Sequence, residues 1–225
     1  MRGCFVTGTD TNVGKTMVAA AICAALRARG ERVAAVKPVV TGLHDAAAGQ
    51  ADHELLARAA GVDPASVTSR TFGPPLSPHL AAQLAGAPLD PAALVARARA
   101  AADGADVLVA EGVGGLLVPL SGSFLVRDYA RELGLPVVIA ARPGLGTISH
   151  TLLTLEAARA AGLTVLGVVI TPWPDEPSPM ERSNRDTIAE LGDVEVATLA
   201  PTPLDVAALA TAGAALPLAS WIPVA

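Results

Sequence analysis

The sequence predicts an α/β protein, a mostly parallel sheet with helices on both faces in a three-layer sandwich. Two observations predict it. Short apolar runs alternate with helical patterns from end to end of the 225 residues, as in sheets built from strand–helix–strand units. The polar clusters fall where apolar runs finish, at residues 7–16, 37–42, 111–115 and 141–147, and such sheets bind ligands beyond the carboxyl ends of their strands.

The first strand is predicted at residues 3–7. A Gly/Thr loop and a helix over 15–29 follow, with Gly30 just past the helix as its cap. A second strand over 32–36 runs into Lys37-Pro38, where proline ends the ladder. Residues 52–60 read as a helix, and 62–78, rich in Pro, Ser and Thr, as loop with room for one short strand. Alanine-rich helices are expected at 78–85 and 91–102, a buried strand at 106–110 ending at Glu111, and a glycine-rich loop at 112–123. A helix at 125–133, a strand at 135–141, a helix at 147–161 and a strand at 164–170 continue the alternation. Four prolines between 172 and 179 mark an open loop, and a last helix, strand and helix follow, with the loop 200–203 among them. No repeat or low-complexity linker interrupts the chain, so residues 1–225 are expected to form one domain.

Composition narrows the function classes. Hydrophobic residues make up 52% and aromatics 3%, so the core must be aliphatic. Net charge is −5 and the pI is about 5.3. With Lys and Arg scattered, this argues against nucleic acid or an anionic membrane as main partner. Cys4 and Cys23 stand in no metal-ligand or redox spacing, and they read as small buried hydrophobes suited to a reducing cytoplasm. Asp10 interrupts the N-terminal apolar stretch before a signal segment forms, and the longest apolar runs fall short of the roughly 20 residues a membrane helix needs. A cytoplasmic protein is expected.

The segment Gly8-Thr9-Asp10-Thr11-Asn12-Val13-Gly14-Lys15-Thr16 lies between the first strand and helix and ends as a Walker A loop does. Lys15 is placed to meet β- and γ-phosphates, Thr16 to ligate Mg²⁺, and the helix N-terminus to face the anion. The first glycine of the usual pattern is replaced by Thr9, which points to a variant P-loop. The fold class is therefore P-loop NTPase-like.

Three further side chains stand at strand or helix ends. Lys37 ends the second strand, where it either neutralises γ-phosphate or substrate charge or simply caps an exposed strand. Glu111 stands where a Walker B acid would, and a carboxylate ending a buried strand needs a cation, a role for Mg²⁺. Asp52 starts a helix and reads equally as an N-cap or a further Mg²⁺ ligand. Gly112, Gly114 and Gly115 either free amides for a ligand or mark a turn.

Together these blocks resemble the dethiobiotin synthetase family over residues 5–170. The carrying segments are Phe5-Val6-Thr7-Gly8-Thr9-Asp10-Thr11 with Val13-Gly14-Lys15-Thr16, then Lys37-Pro38-Val39 with Thr41-Gly42, Ser77-Pro78-His79, Glu111-Gly112-Val113-Gly114-Gly115 and Gly146-Thr147-Ile148-Ser149-His150. The resemblance implies a homodimeric ligase that converts 7,8-diaminononanoate, CO₂ and Mg·ATP into dethiobiotin, ADP and phosphate through a carbamate and a carbamic–phosphoric anhydride. It implies nucleotide contacts from Thr11, Asn12, Val13, Gly14, Lys15, Thr16 and Met17, from Asp52, Glu111, Gly112, Val113 and Gly114, and from Thr171, Pro172, Pro201, Thr202 and Pro203. Thr16, Asp52 and Glu111 would place Mg²⁺, and Lys37 and Lys15 would act in catalysis. Thr41, Gly115, Thr147 and Ser149 would meet the diamine substrate, the last two across a dimer interface.

Two departures stand out. Thr171-Pro172-Trp173 lacks the asparagine with which relatives read adenine, so weakened base selectivity is expected, and Asn12 replaces an acid found in some relatives. His79 and His150 lie in family-like blocks without a required proton-transfer role, and His44 and His53 read as surface residues. A partitioning-type switch ATPase would carry an extra lysine near residues 10–12, and none is present. A nucleotide-binding subunit of the same fold is the remaining alternative.

Overall fold

The computed structural model describes residues 1–44 and 50–223. Six parallel strands form the main sheet: β1 (Gly3–Gly8), β2 (Val33–Val36), β3 (Val107–Glu111), β6 (Val137–Ala141), β7 (Val165–Ile170) and β8 (Val196–Thr198), in the order β2-β3-β1-β6-β7-β8. A short antiparallel pair, β4 (Pro119–Ser121) and β5 (Phe124–Leu125), stands apart. β1 has β3 on one side and β6 on the other, so strand order reverses beside it. That reversal opens a crevice at its carboxyl end.

Side-chain alternation along β1 sorts the core into two layers. Cys4 and Val6 face one aliphatic cluster and Phe5 the opposite one, as the two-residue period of a strand requires. The first layer holds α1 (Lys15–Ala28), α2 (Asp52–Ala60), α9 (Val206–Ala214) and the short α10 (Leu218–Trp221). The second holds α4 (Pro78–Leu84), α5 (Pro91–Ala101), α6 (Val126–Leu133), α7 (Thr147–Ala160) and α8 (Pro179–Gly192). α1 is buried without a break from Val18 to Leu26, the pattern of a helix apolar all round. Its Ala-rich surface lets α9 approach so closely that a Cβ on Gly213 would fall 2.0 Å from the Ala21 carbonyl oxygen. Cys4 and Cys23 are free and buried, and burial pushes the Cys4 thiol up to about 12.

Three stretches differ from the sequence reading. Residues 62–78 contain a helical turn, α3 (Pro64–Val67), started by Asp63 accepting from the Ala65 amide with proline at the first position. The only ladder contact there is a single bridge from Val40 to Thr71. The expected loop 112–123 closes into the β4–β5 hairpin around Gly122. The chain also adds α10, whose Trp221 indole donates to Glu195 Oε2 at 2.8 Å. Such elements of two to four residues carry too little periodicity to stand out.

Candidate active site

A cleft of about 910 Å³ opens over the carboxyl ends of β1, β2 and β3. The loop after β1 forms its floor. Gly14 holds φ +88° ahead of α1 without any side-chain cap, a left-handed conformation suited to glycine. A Cβ there would also strike the Thr171 methyl at 2.4 Å, so Thr171 packs directly beneath the phosphate loop. Lys15 is 7% exposed, and its ammonium donates to the Asp10 carbonyl at 2.7 Å. Burial lowers the Lys15 pKa against the opposing pull of Glu111.

At the carboxyl ends of β2 and β3 the register that pairs Val36 with Ala110 sets Lys37 beside Glu111. The Lys37 ammonium donates to Glu111 Oε1 at 2.5 Å and to Asp52 Oδ2 at 2.6 Å. Thr16 Oγ1 donates to the same Glu111 oxygen at 2.9 Å. Glu111 is fully buried, and its Oε2 has no partner among the described residues. Burial on its own would lower Lys37, but the Glu111 and Asp52 carboxylates reverse this and raise it. Burial raises Glu111, with Lys37 opposing. For Asp52, burial acts upward and the Lys37 charge outweighs it, so its pKa falls.

Asp52 is not an N-cap: Ala51 occupies that position, with no side-chain cap bond, and the Asp52 carboxylate turns to Lys37. The ammonium that Glu111 needs is supplied by Lys37, a pairing across 74 residues of chain that the sequence reading did not make. His44 is exposed with its ring over Gly73, whereas His53 is half-buried in the first turn of α2, not on the surface.

Of the sequence-predicted residues, Thr11, Asn12, Gly14, Lys15, Thr16, Met17, Lys37, Thr41, Asp52, Glu111, Val113 and Gly114 line this cleft. Val13 is buried behind the loop. Gly112 packs under Val126 and Phe5, and Gly115 approaches the Gly8 and Thr9 carbonyls. Pro172 is exposed beyond β7, and Pro201, Thr202 and Pro203 follow β8, all outside the cleft. Thr147, buried at the start of α7, and exposed Ser149 also lie outside it. The sequence reading missed two contributors. Asp10 holds the loop through its carbonyl and through Oδ1, which accepts from the Thr11 amide at 2.7 Å. Arg142 reaches Asp10 Oδ2 at 3.0 Å from the end of β6. The polar cluster at 141–147 was the available signal for Arg142. A second signal went unused: of 16 Lys and Arg residues, Lys15 and Lys37 are the only lysines, and both are in the cleft.

A parallel sheet with a Walker-type loop at the strand-order reversal, a lysine and a threonine at the helix start and an acid ending the neighbouring strand define a P-loop, ATP-dependent enzyme. A model of the AAA domain family matches residues 2–208. The chain is 44% identical over 212 residues to the ATP-dependent dethiobiotin synthetase BioD of Rhodococcus jostii (strain RHA1), covering 93% of this chain and 90% of that protein. It is 43% identical over 214 residues to that of Anaeromyxobacter dehalogenans (strain 2CP-C), covering 94% and 95%. To that of Mycobacterium sp. (strain KMS) it is 43% identical, over 85% of each chain. The chain belongs to the ATP-dependent dethiobiotin synthetase family.

Proposed function

We propose that this chain closes the ureido ring of dethiobiotin from 7,8-diaminononanoate, CO₂ and ATP, releasing ADP and phosphate. The observation that carries the reading is the convergence of Lys15, Thr16, Lys37, Asp52 and Glu111 on one cleft that Thr41 and Ser77 also line. No side-chain nucleophile is required, because the substrate brings its own: one amine captures CO₂ as a carbamate, losing a proton, and a carbamate oxygen attacks the γ-phosphorus and displaces ADP. The second amine then attacks the carbamoyl carbon and expels phosphate. Such transfer asks for positioning and charge stabilisation. Lys15 and the loop amides bind the phosphate tail, Lys37 meets charge on the carbamate and the transferring group, and Thr41 orients the diamine.

Thr16, Asp52 and Glu111 fit Mg²⁺. They offer hard oxygen donors, and the buried, unpartnered Glu111 Oε2 is an acceptor that a cation would satisfy. Among the described residues no three His, Cys, Asp or Glu side chains form a metal cluster; the rest of the ion's shell would come from phosphate and water. When bound, Mg²⁺ neutralises charge on the β- and γ-phosphates. Backbone amides at the start of α7, around Thr147 and Ser149, meet the substrate carboxylate from a second subunit; the Thr147 side chain itself is buried. Leu145 and Leu153, 84% and 61% exposed, supply apolar surface for that homodimer. The reading is of one cytoplasmic domain that acts on small molecules. Among the described residues no helix is long and apolar enough to cross a membrane.

With ¹³CO₂, ATP, Mg²⁺ and the diamine, mass spectrometry is expected to find dethiobiotin carrying one ¹³C, with phosphate release dependent on the diamine. Phosphate release indifferent to diamine and CO₂ would overturn the reading. Base selectivity is expected to be weak. Residues 171–173, directly after β7, include no side-chain amide, and Trp173 is engaged with the Arg185 guanidinium 5.8 Å from its ring. Turnover compared with ATP, CTP and GTP tests this, and a strong preference for ATP contradicts it.

A further inference from the structure

Lys37 touches both carboxylates that the metal assignment gives to Mg²⁺. Its ammonium lies 2.5 Å from Glu111 Oε1 and 2.6 Å from Asp52 Oδ2, and Thr16 Oγ1 donates to the same Glu111 oxygen at 2.9 Å. The Glu111 side chain is 0% exposed and that of Lys37 5%, so water screens their attraction poorly. All three groups expected around the cation are therefore already gathered, with an ammonium at the centre of their charge. Asp52 is half exposed and Glu111 Oε2 has no partner among the described residues, yet a divalent ion seated on buried Glu111 would still crowd the ammonium on Oε1, and the two cations would repel strongly there. The ammonium, on its flexible stem, is the one able to move away.

We propose that Lys37 is a stand-in cation for Glu111 and Asp52: it holds both carboxylates until a divalent ion takes them, and then turns its charge toward the transferring phosphate. This rests on the metal assignment above and adds an order to it. Lys37 serves the chemistry only after its carboxylates have been taken, so nucleotide without metal meets a lysine still engaged. The role suits lysine, a compact charge on a flexible four-carbon stem, and not arginine, whose planar fork needs room and fixed geometry. Lys37 also lines the cleft beside open volume into which its stem can turn.

The experiment measures ADP affinity with and without Mn²⁺ in the unmodified chain, in Lys37→Gln and in Glu111→Gln. Glutamine at position 37 keeps a donor for Glu111 but no charge for the metal to displace. The Mn²⁺-dependent gain in ADP affinity is expected to be larger in Lys37→Gln than in the unmodified chain by about tenfold or more. A gain equal to or smaller than that of the unmodified chain overturns the inference. Glu111→Gln separates this from failure of the metal assignment. If it loses the gain while Lys37→Gln matches the unmodified chain, the metal site stands and the stand-in role falls. If it keeps the full gain, the cation is not on Glu111 and both fall. A second measurement needs no variant. With ¹⁵N-lysine the chain has only two ammonium groups to report, those of Lys15 and Lys37. The Lys37 signal is expected in the metal-free protein, protected by its two carboxylates, and is expected to be lost to water exchange on adding Mg·ADP. An unchanged Lys37 signal overturns the inference.

Discussion

Neighbouring strands β2 and β3 carry an ion pair at each end, and the two pairs have opposite character. At the amino ends Arg32 meets Asp106 at 2.7 Å, with side chains 71% and 38% exposed. At the carboxyl ends Lys37 meets Glu111 at 2.5 Å, with side chains 5% and 0% exposed. One register, pairing Val33 with Val107 and Val36 with Ala110, sets both. The amino-end pair is a forked contact in water: Arg32 Nε and Nη2 donate to the two Asp106 oxygens at 3.2 and 2.7 Å, the bidentate geometry guanidinium favours. Exposed pairs of this kind contribute little to stability. The carboxyl-end pair takes two charges out of water, which is weak as a source of stability and strongly disruptive when one partner is lost. The same backbone frame thus ends in an exposed clasp on one side and, on the proposed function, in the chemistry on the other. Burial and the choice of lysine mark which is which.

Lys37 separates the two pairs most sharply. Lys37→Ala is expected to lower dethiobiotin formation by about 10²–10³-fold, the scale for a lost charge-stabilising donor, with native secondary structure by circular dichroism at about 25 °C but a lowered melting temperature, because Glu111 loses its partner. Near-normal turnover removes Lys37 from the mechanism. Lys37→Arg is expected to lose nearly as much despite keeping the charge, whereas Arg32→Lys leaves turnover within about twofold. Steady-state rates of the two swaps give that contrast directly.

Next comes Thr16, which donates to the oxygen Lys37 also holds. Thr16→Val is expected to weaken Mg·ATP binding by about 10- to 100-fold, the range for a bond to a charged group, and diamine binding less. Unchanged nucleotide affinity by calorimetry contradicts the metal assignment. The smallest effect belongs to the amino end. Hydrogen bonds from the Arg32 side chain and amide hold Asp106 at about 2, down from 3.8. A depressed carboxyl stabilises the fold above its unfolded value and loses that contribution as pH falls from 3.8 toward about 2. Asp106→Asn is therefore expected to lower the melting temperature by no more than about 2 °C at pH 7, and by less still near pH 2. A larger drop at pH 7 would make the clasp more than a surface contact.

Residues 1–42 show how far the sequence carries. The apolar run of β1, the Gly14-Lys15-Thr16 turn and the unbroken aliphatic face of α1 are local signals, and each was readable. Glu111 was readable too, because a carboxylate closing an apolar run has few reasons to be there. Its partner was not. Lys37 and Glu111 meet only because β2 and β3 are adjacent, and that adjacency depends on strand order, not on anything near either residue. Asp52 was left between capping and ligation for the same reason: its helix start is local, but the ammonium that claims its carboxylate comes from another strand. Arg142, reaching Asp10 from the end of β6, also needed the fold to be seen.

On the proposed function, one cleft gathers an ATP tail between two lysines beside an acid-bound cation. The most direct measurement is a crystal structure with Mg²⁺, a non-hydrolysable ATP analogue and the diamine. The terminal phosphate is expected in contact with Lys15, the Lys37 ammonium turned toward it, and the cation on Thr16, Asp52 and Glu111. A phosphate tail lying away from Lys15, or a cation bound elsewhere with Lys37 still seated on Glu111, would contradict it.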